Sequence, residues 1–182
     1  MKKLQGSHGV DVRWRSYELR PAGAPPMSPE HRARIEAGRP AFTERVRRDT
    51  GLTLKPGPFG ISSRAALVLE KAAEARGAGE AFHDQAQNAY WLEGEDLSNP
   101  EVLRRLWATC GLPVVEFEAA LADAGAVAAV DADVAQAAEY GLSGVPALVL
   151  NERYLVMGAQ PYATLAAAVE KVAAASDEDE TA

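Results

Sequence analysis

Along residues 10–19, VDVRWRSYEL, the positions Val10, Val12, Trp14 and Ser16 alternate with Asp11, Arg13, Arg15 and Tyr17. A period of two predicts a strand with one apolar face. The proline-rich stretch RPAGAPPMSPE ends that pattern, and Ser28-Pro29-Glu30 predicts the start of a helix that reaches Asp49. Gly38 and Pro40 lie inside it and predict a kink or break. LTLKPGPFG (52–60) is irregular, and from Ser62 to Tyr140 the chain reads as a string of helices. The first runs from Ser62 to Arg76 and stops at Gly77; the second, Gly79 to Leu92, carries Phe82, Ala86, Ala89 and Tyr90 on one face. Ser98-Asn99-Pro100-Glu101 supplies a cap, a proline at the first helical position and an acid in the first turn. That helix stops at Gly111, and Pro113 opens another bearing Phe117 and Leu121. Val127, Val130, Val134 and Ala137 stripe the last helix before Gly141.

Residues 141–161 read GLSGVPALVLNERYLVMGAQP. Two apolar runs, Ala147–Leu150 and Arg153–Met157, flank the turn-forming Asn151-Glu152, which predicts a hairpin whose first strand begins at Pro146. Proline has no N–H to give a ladder and is confined to edges, strand starts and bulges. Pro161 opens a final helix, 161–175, and the acidic SDEDETA after it is expected to be disordered. The order is strand, helix, helical block, two strands, helix.

Composition narrows the function classes. The chain has 182 residues, room for one domain or a domain with an insertion, and its 47% hydrophobic and 25% charged residues suit a globular fold. The net charge of −7 argues against a nucleic-acid surface. Residues 1–50 hold 11 Lys/Arg against 6 Asp/Glu, mostly in HRARIEAGRPAFTERVRR, which reads as a solvated helix face. One cysteine allows no internal disulfide; MKKLQGSHGV has no apolar stretch of a signal peptide, and no run approaches a membrane span. These features predict a cytoplasmic protein with no membrane partner.

Three stretches carry a family resemblance: WRSYELRP (14–21), AYWLEGEDLSNPEVL (89–103) and GLSGVPALVLNERYLVMGAQP (141–161). Together they resemble the cytoplasmic, dithiol-disulfide isomerase-like branch of the DsbA family, related to 2-hydroxychromene-2-carboxylate isomerase and kappa-class glutathione transferases. The resemblance implies an α/β fold: a thioredoxin-like sheet, incomplete at the N-terminus, with a helical insertion domain. Residues 1–54 and 141–175 would form the thioredoxin-like part, 55–140 the insertion and 176–182 a disordered acidic tail. It also implies a cis Val145-Pro146 bond; the alternative is a trans proline starting an edge strand. The loop would offer the backbone of Val145 as an edge to which an extended thiol- or disulfide-containing peptide, or glutathione, adds like a strand. Ser143, Gly144, Val145, Pro146 and Gln160 are the candidate binding residues.

The family's chemistry comes from a strand followed by Cys-x-x-Cys at a helix N-terminus, where the thiolate attacks a disulfide. This chain has one cysteine, so its catalytic residues are unknown. MKKLQGSHG reads as the last turn of a helix, a glycine stop and a loop. One expectation is that Met1 is internal and the protein is longer by roughly 30 residues; the other is that the short form is real and has lost the site. In the short form, the strand at Val10 must re-pair, with the Ala147 strand or with another chain, which leaves a dimer open. The function read from the resemblance is a thiol-disulfide oxidoreductase or isomerase whose dithiol is absent here. The alternatives are a glutathione-dependent isomerase or transferase, with glutathione the one cofactor considered, and a non-catalytic peptide-binding module.

Other candidates read as structural. Cys110 shares a helical face with Leu103, Leu106 and Trp107 and packs as a small hydrophobe. His8, His31 and His83 lack ligand spacing, so no metal site is expected. Glu93, Glu95 and Asp96 read as a solvated turn, and Ser62 and Ser63 as a helix cap. Trp14, Tyr90, Trp91 and Trp107 read as core, with a groove between insertion and sheet as the alternative.

Overall fold

The computed structural model describes residues 1–21 and 23–180. Thr181 and Ala182, the end of the expected tail, lie outside the described residues, as does Ala22. The chain forms two compact units, one of Met1–Tyr17 with Asp133–Ala182 and one of Glu18–Ala132. Residues 18–54, assigned to the thioredoxin-like part on sequence, therefore cluster with the helical segment.

In the first unit, α1 (Lys2–His8) stops where Gly9 turns left-handed at φ 62° and its N–H donates to the Gln5 carbonyl. Leu4, 2% exposed, seats α1, which packs on α8 (Tyr162–Glu180). The α8 winding continues past Ala175 through Asp177–Glu180, where disorder was expected; the alanine-rich run before it favours helix.

Residues 10–19 correct the sequence reading: they form no strand. The predicted alternation survives as burial over part of the segment. Val10 and Val12 are half-buried and Ser16 is buried, while Asp11, Arg13 and Arg15 are exposed. A strand, though, needs a second backbone, and among the described residues the only sheet pairs β1 (Ala147–Leu150) with β2 (Tyr154–Met157). The segment is held by a side chain instead. Asp133 accepts the Ser16 N–H at 2.8 Å and an Arg15 guanidinium N–H at 3.0 Å.

The hairpin forms as its pattern predicts. Ala147 pairs with Met157 and Leu150 with Tyr154 in antiparallel register. Asn151 and Glu152 take the left-handed turn at φ 48° and 55°, and the Arg153 N–H closes it on the Leu150 carbonyl at 3.1 Å.

In the second unit, α2 (Pro29–Thr50) begins at Ser28, whose hydroxyl accepts the His31 N–H at 3.2 Å. It runs through Gly38 and Pro40 without the expected break. Proline deprives the carbonyl four residues back of its donor. Glu36, the residue affected, is exposed, so water can replace that bond. None of α2 is buried.

The core lies in α3 (Arg64–Glu74), α4 (Gly79–Asn88), α5 (Pro100–Thr109), α6 (Phe117–Leu121) and the start of α7 (Ala124–Glu139). Leu69, Phe82, Leu103, Leu106, Trp107, Phe117 and Val130 are its largest sealed side chains. On α7 the buried positions are Ala126, Val130, Asp133 and Ala137, whereas the predicted Val127 and Val134 are only half-buried. The stripe is shifted because a carboxylate, not a valine, is enclosed.

After α4 the helix widens into a π turn, Ala89–Glu93. The carbonyls of Tyr90 and Trp91 accept the N–H groups of Gly57 and Lys55, each at 2.7 Å. The irregular 52–60 stretch is thus stitched to the turn. Gly57 has to be glycine, since a Cβ there would lie 2.3 Å from the Glu95 carbonyl oxygen and 2.8 Å from the Tyr90 ring. Gly57→Ala is expected to lower stability by about 2 kcal/mol, the scale of overpacking. An unchanged urea midpoint would contradict this packing.

Among the described residues no helix is long and apolar enough to cross a membrane.

Candidate functional site

The site is built at the end of α7. Gly141 turns left-handed at φ 66°, its N–H bonds the Ala138 carbonyl, and the Leu142 N–H reaches back to Ala137 at 2.9 Å. This double closure ends the helix sharply and releases Ser143-Gly144-Val145 as a short loop before β1. The Val145-Pro146 peptide bond is cis.

Val145 is 48% exposed, and among the described residues no backbone hydrogen bond engages its N–H or C=O. Pro146 and Ser143 are exposed too, while Gly144 is half-buried. The Pro146 carbonyl accepts the Gly158 N–H at 2.9 Å. Placed immediately before β1, Pro146 therefore extends the pairing by its acceptor, and its missing donor falls where the ladder ends.

Gln160 lies at the same end of the hairpin. Its side-chain amide donates to the Met157 carbonyl at 2.8 Å, which ties the side chain to the end of β2. The structure thus gathers Ser143, Gly144, Val145, Pro146 and Gln160 at one end of one hairpin. Among the described residues Ser143, Gly144 and Val145 make no backbone hydrogen bond, and unpaired N–H and C=O groups are what an incoming extended chain pairs with.

The same unit holds a polar cluster that the sequence reading missed. The Ser7 hydroxyl is 2.7 Å from His8 Nδ1 and 2.7 Å from the Tyr162 hydroxyl. His8 Nε2 is 3.3 Å from Glu170, and the Lys3 ammonium lies 4.0 Å above the Tyr162 ring. These contacts clamp α1 onto the first turns of α8, one residue after Pro161. The linear sequence shows Ser7-His8 and Tyr162 some 155 positions apart, with no signal that joins them.

The other sequence candidates are occupied structurally. Cys110 ends α5 half-buried, and burial pushes its thiol pKa up, which keeps it protonated and weakly nucleophilic. The Ser62 hydroxyl accepts the Arg64 N–H, while Ser63 makes no capping bond. Asp96 accepts from the Ser98 N–H and hydroxyl, and Glu95 pairs with Arg105; Glu93 is exposed. His83 faces Glu70 at 3.0 Å and His31 lies in the first turn of α2. Among the described residues no three His, Cys, Asp or Glu side chains form a cluster able to hold a metal. Trp107 is fully buried, Tyr90 and Trp91 are half-buried, and Trp14 is 41% exposed.

Helix-flanked hairpin and helical segment together define a thioredoxin-like fold with mostly helical content and a short two-stranded sheet. Residues 1–170 match the model of the DSBA-like thioredoxin domain, and the chain belongs to that family. Among solved structures it is similar to a probable DsbA oxidoreductase from Streptomyces coelicolor. That match has 28% identity and a TM-score of 0.77, covering 93% of this chain and 80% of the other. A 2-hydroxychromene-2-carboxylate isomerase shares the fold at 21% identity and a TM-score of 0.77, with 97% of this chain and 88% of the isomerase covered. No curated protein matches the sequence.

Proposed function

We propose that this chain is the substrate-docking part of a DsbA-type thiol-disulfide oxidoreductase or isomerase. The Val145 edge accepts an extended peptide carrying a thiol or disulfide, or the cysteinyl part of glutathione. The observation that carries the reading is the exposed, unpaired Val145 backbone at the head of β1 in a member of the DSBA-like family. The redox pair is not made by these residues alone, because one half-buried cysteine cannot make and break an internal disulfide. A dithiol supplied from outside these 182 residues completes the reaction. A chain with one cysteine and no internal disulfide suits the reducing cytoplasm.

The test is a backbone-amide NMR titration with glutathione and with a short cysteine-containing peptide. Shifts concentrated at Gly144, Val145 and Ala147 are expected, while the chain alone shows no turnover in an insulin-reduction assay. Shifts that centre elsewhere, or none with either ligand, would remove the docking role. Turnover of insulin by the isolated chain would remove the requirement for an external dithiol.

A further inference from the structure

Where α1 meets α8, a hydroxyl, an imidazole and a carboxylate form a chain of contacts that takes no residue from the Val145 loop. Ser7 Oγ is 2.7 Å from His8 Nδ1, and His8 Nε2 is 3.3 Å from a Glu170 carboxylate oxygen. All three residues belong to the unit of Met1–Tyr17 and Asp133–Ala182. Ser7 is exposed, while the His8 side chain keeps 17% of its surface and that of Glu170 keeps 69%. The imidazole is thus sheltered on the protein, and its hydroxyl partner is open to solvent.

The proton positions follow from the partners. A carboxylate only accepts, so Glu170 holds the imidazole proton on Nε2 and leaves the Nδ1 lone pair to the Ser7 hydroxyl. That hydroxyl has one proton to share between Nδ1 and the carbonyls of Lys3 and Leu4, at 2.8 and 3.4 Å. Bonding to those carbonyls is ordinary for a serine in a helix; bonding to Nδ1 makes the oxygen a nucleophile. The Tyr162 hydroxyl, 2.7 Å from Ser7 Oγ, is then the donor to that oxygen, and the Lys3 ammonium stands 4.0 Å from the centre of the Tyr162 ring.

We propose that Ser7, with His8 as its base, is a nucleophilic site that hydrolyses small carboxylic esters. An activated serine needs a base within hydrogen-bond reach and a third group that orients the base, and Ser7, His8 and Glu170 fill those places. In the first step Ser7 Oγ bonds to the ester's carbonyl carbon while the Ser7 proton passes to His8 Nδ1. The carbonyl oxygen becomes an oxyanion on the carbon bonded to Oγ, where the Tyr162 O–H can turn to it. The bond to the leaving alkoxide breaks, and the alkoxide takes the proton from His8. Water, deprotonated by His8, next attacks the acyl carbon, and departure of the carboxylic acid restores the Ser7 hydroxyl. Ester and water have become acid and alcohol. Ser7 is exposed rather than enclosed, so a short acyl group reaching it from solvent is the class that fits.

Two probes test the site. p-Nitrophenyl acetate reports turnover, and a fluorophosphonate, whose adduct water does not readily remove, traps the nucleophile for peptide mapping. Turnover is expected, with the trap abolishing it and the phosphonyl group carried by Ser7. Ser7→Ala should lose both signals. His8→Gln should slow both by at least about a hundredfold, the lower end of general-base catalysis. Glu170 is a positioning residue: Glu170→Ala should slow both about tenfold, the rate equivalent of one hydrogen bond, and mix the two imidazole tautomers seen by NMR of the ring nitrogens. Glu170→Gln, whose amide oxygen still accepts from Nε2, should recover part of the rate. Cys110→Ala, in the other unit, should change neither signal, and circular dichroism checks that each variant keeps its helices. No trapping at Ser7, equal rates in His8→Gln, or an adduct at Cys110 or Tyr162 in place of Ser7 would each overturn the proposal.

Discussion

Trp107→Ala lowers the unfolding free energy by about 4 kcal/mol, as large aromatic truncations in sealed cores do. The side chain is fully buried, its indole N–H donates to the Pro113 carbonyl at 3.0 Å, and its ring meets Phe82 at 6.4 Å in a T-shaped pair. The alanine variant loses the packing, leaves a cavity and gives up the indole's hydrogen bond to the Pro113 carbonyl, which keeps the Glu116 N–H. Trp107→Phe keeps most of the apolar area and loses the hydrogen bond, so about 1–2 kcal/mol is expected. Urea unfolding followed by circular dichroism measures both. A loss under about 1 kcal/mol for the alanine variant would mean that α5 is not seated as described.

Asp133→Ala costs about 3 kcal/mol, because it removes two charge-assisted hydrogen bonds and strands a buried donor. Asp133 is 5% exposed and holds the Ser16 N–H and Arg15. Asp133→Asn keeps an acceptor for Ser16 and gives up the ion pair, so its cost falls to about 1 kcal/mol. The local signature is more specific than the global one. Hydrogen exchange at the Ser16 amide should accelerate strongly in the alanine variant and only slightly in the asparagine variant. Equal protection of that amide in all three proteins would show that residues 10–17 are anchored by something else.

These two residues mark the boundary of what could be read in advance. Trp107 declares itself, since Leu103, Leu106 and Trp107 repeat at helical spacing and bury on one face. Asp133 does not. A carboxylate in an apolar stripe reads as a solvent-facing residue, and Val134 beside it takes its place in the pattern. Only the partner groups, Ser16 and Arg15 more than a hundred positions away, make its burial favourable. The same holds for the loop before β1. Its residues and its proline at a strand start are readable locally. Its exposed, unpaired Val145 backbone depends on what neighbours the fold places there. The arginines of α2 read as a solvated face, and no residue of that helix is buried.

By itself the sequence determined the helix ends at Gly9 and Gly141, the capped start at Ser28, the Asn151-Glu152 turn and the hairpin that follows Pro146. Each rests on the φ range of one residue or a hydrogen bond spanning a few positions, so nearby residues suffice. The tertiary structure alone decided that residues 10–19 remain unladdered, that Asp133 replaces a valine in the core, and that Ser7, His8, Tyr162 and Glu170 meet. A ladder needs a second backbone and a buried charge needs its counter-group. Both are supplied by chain distant in sequence, which no local pattern records.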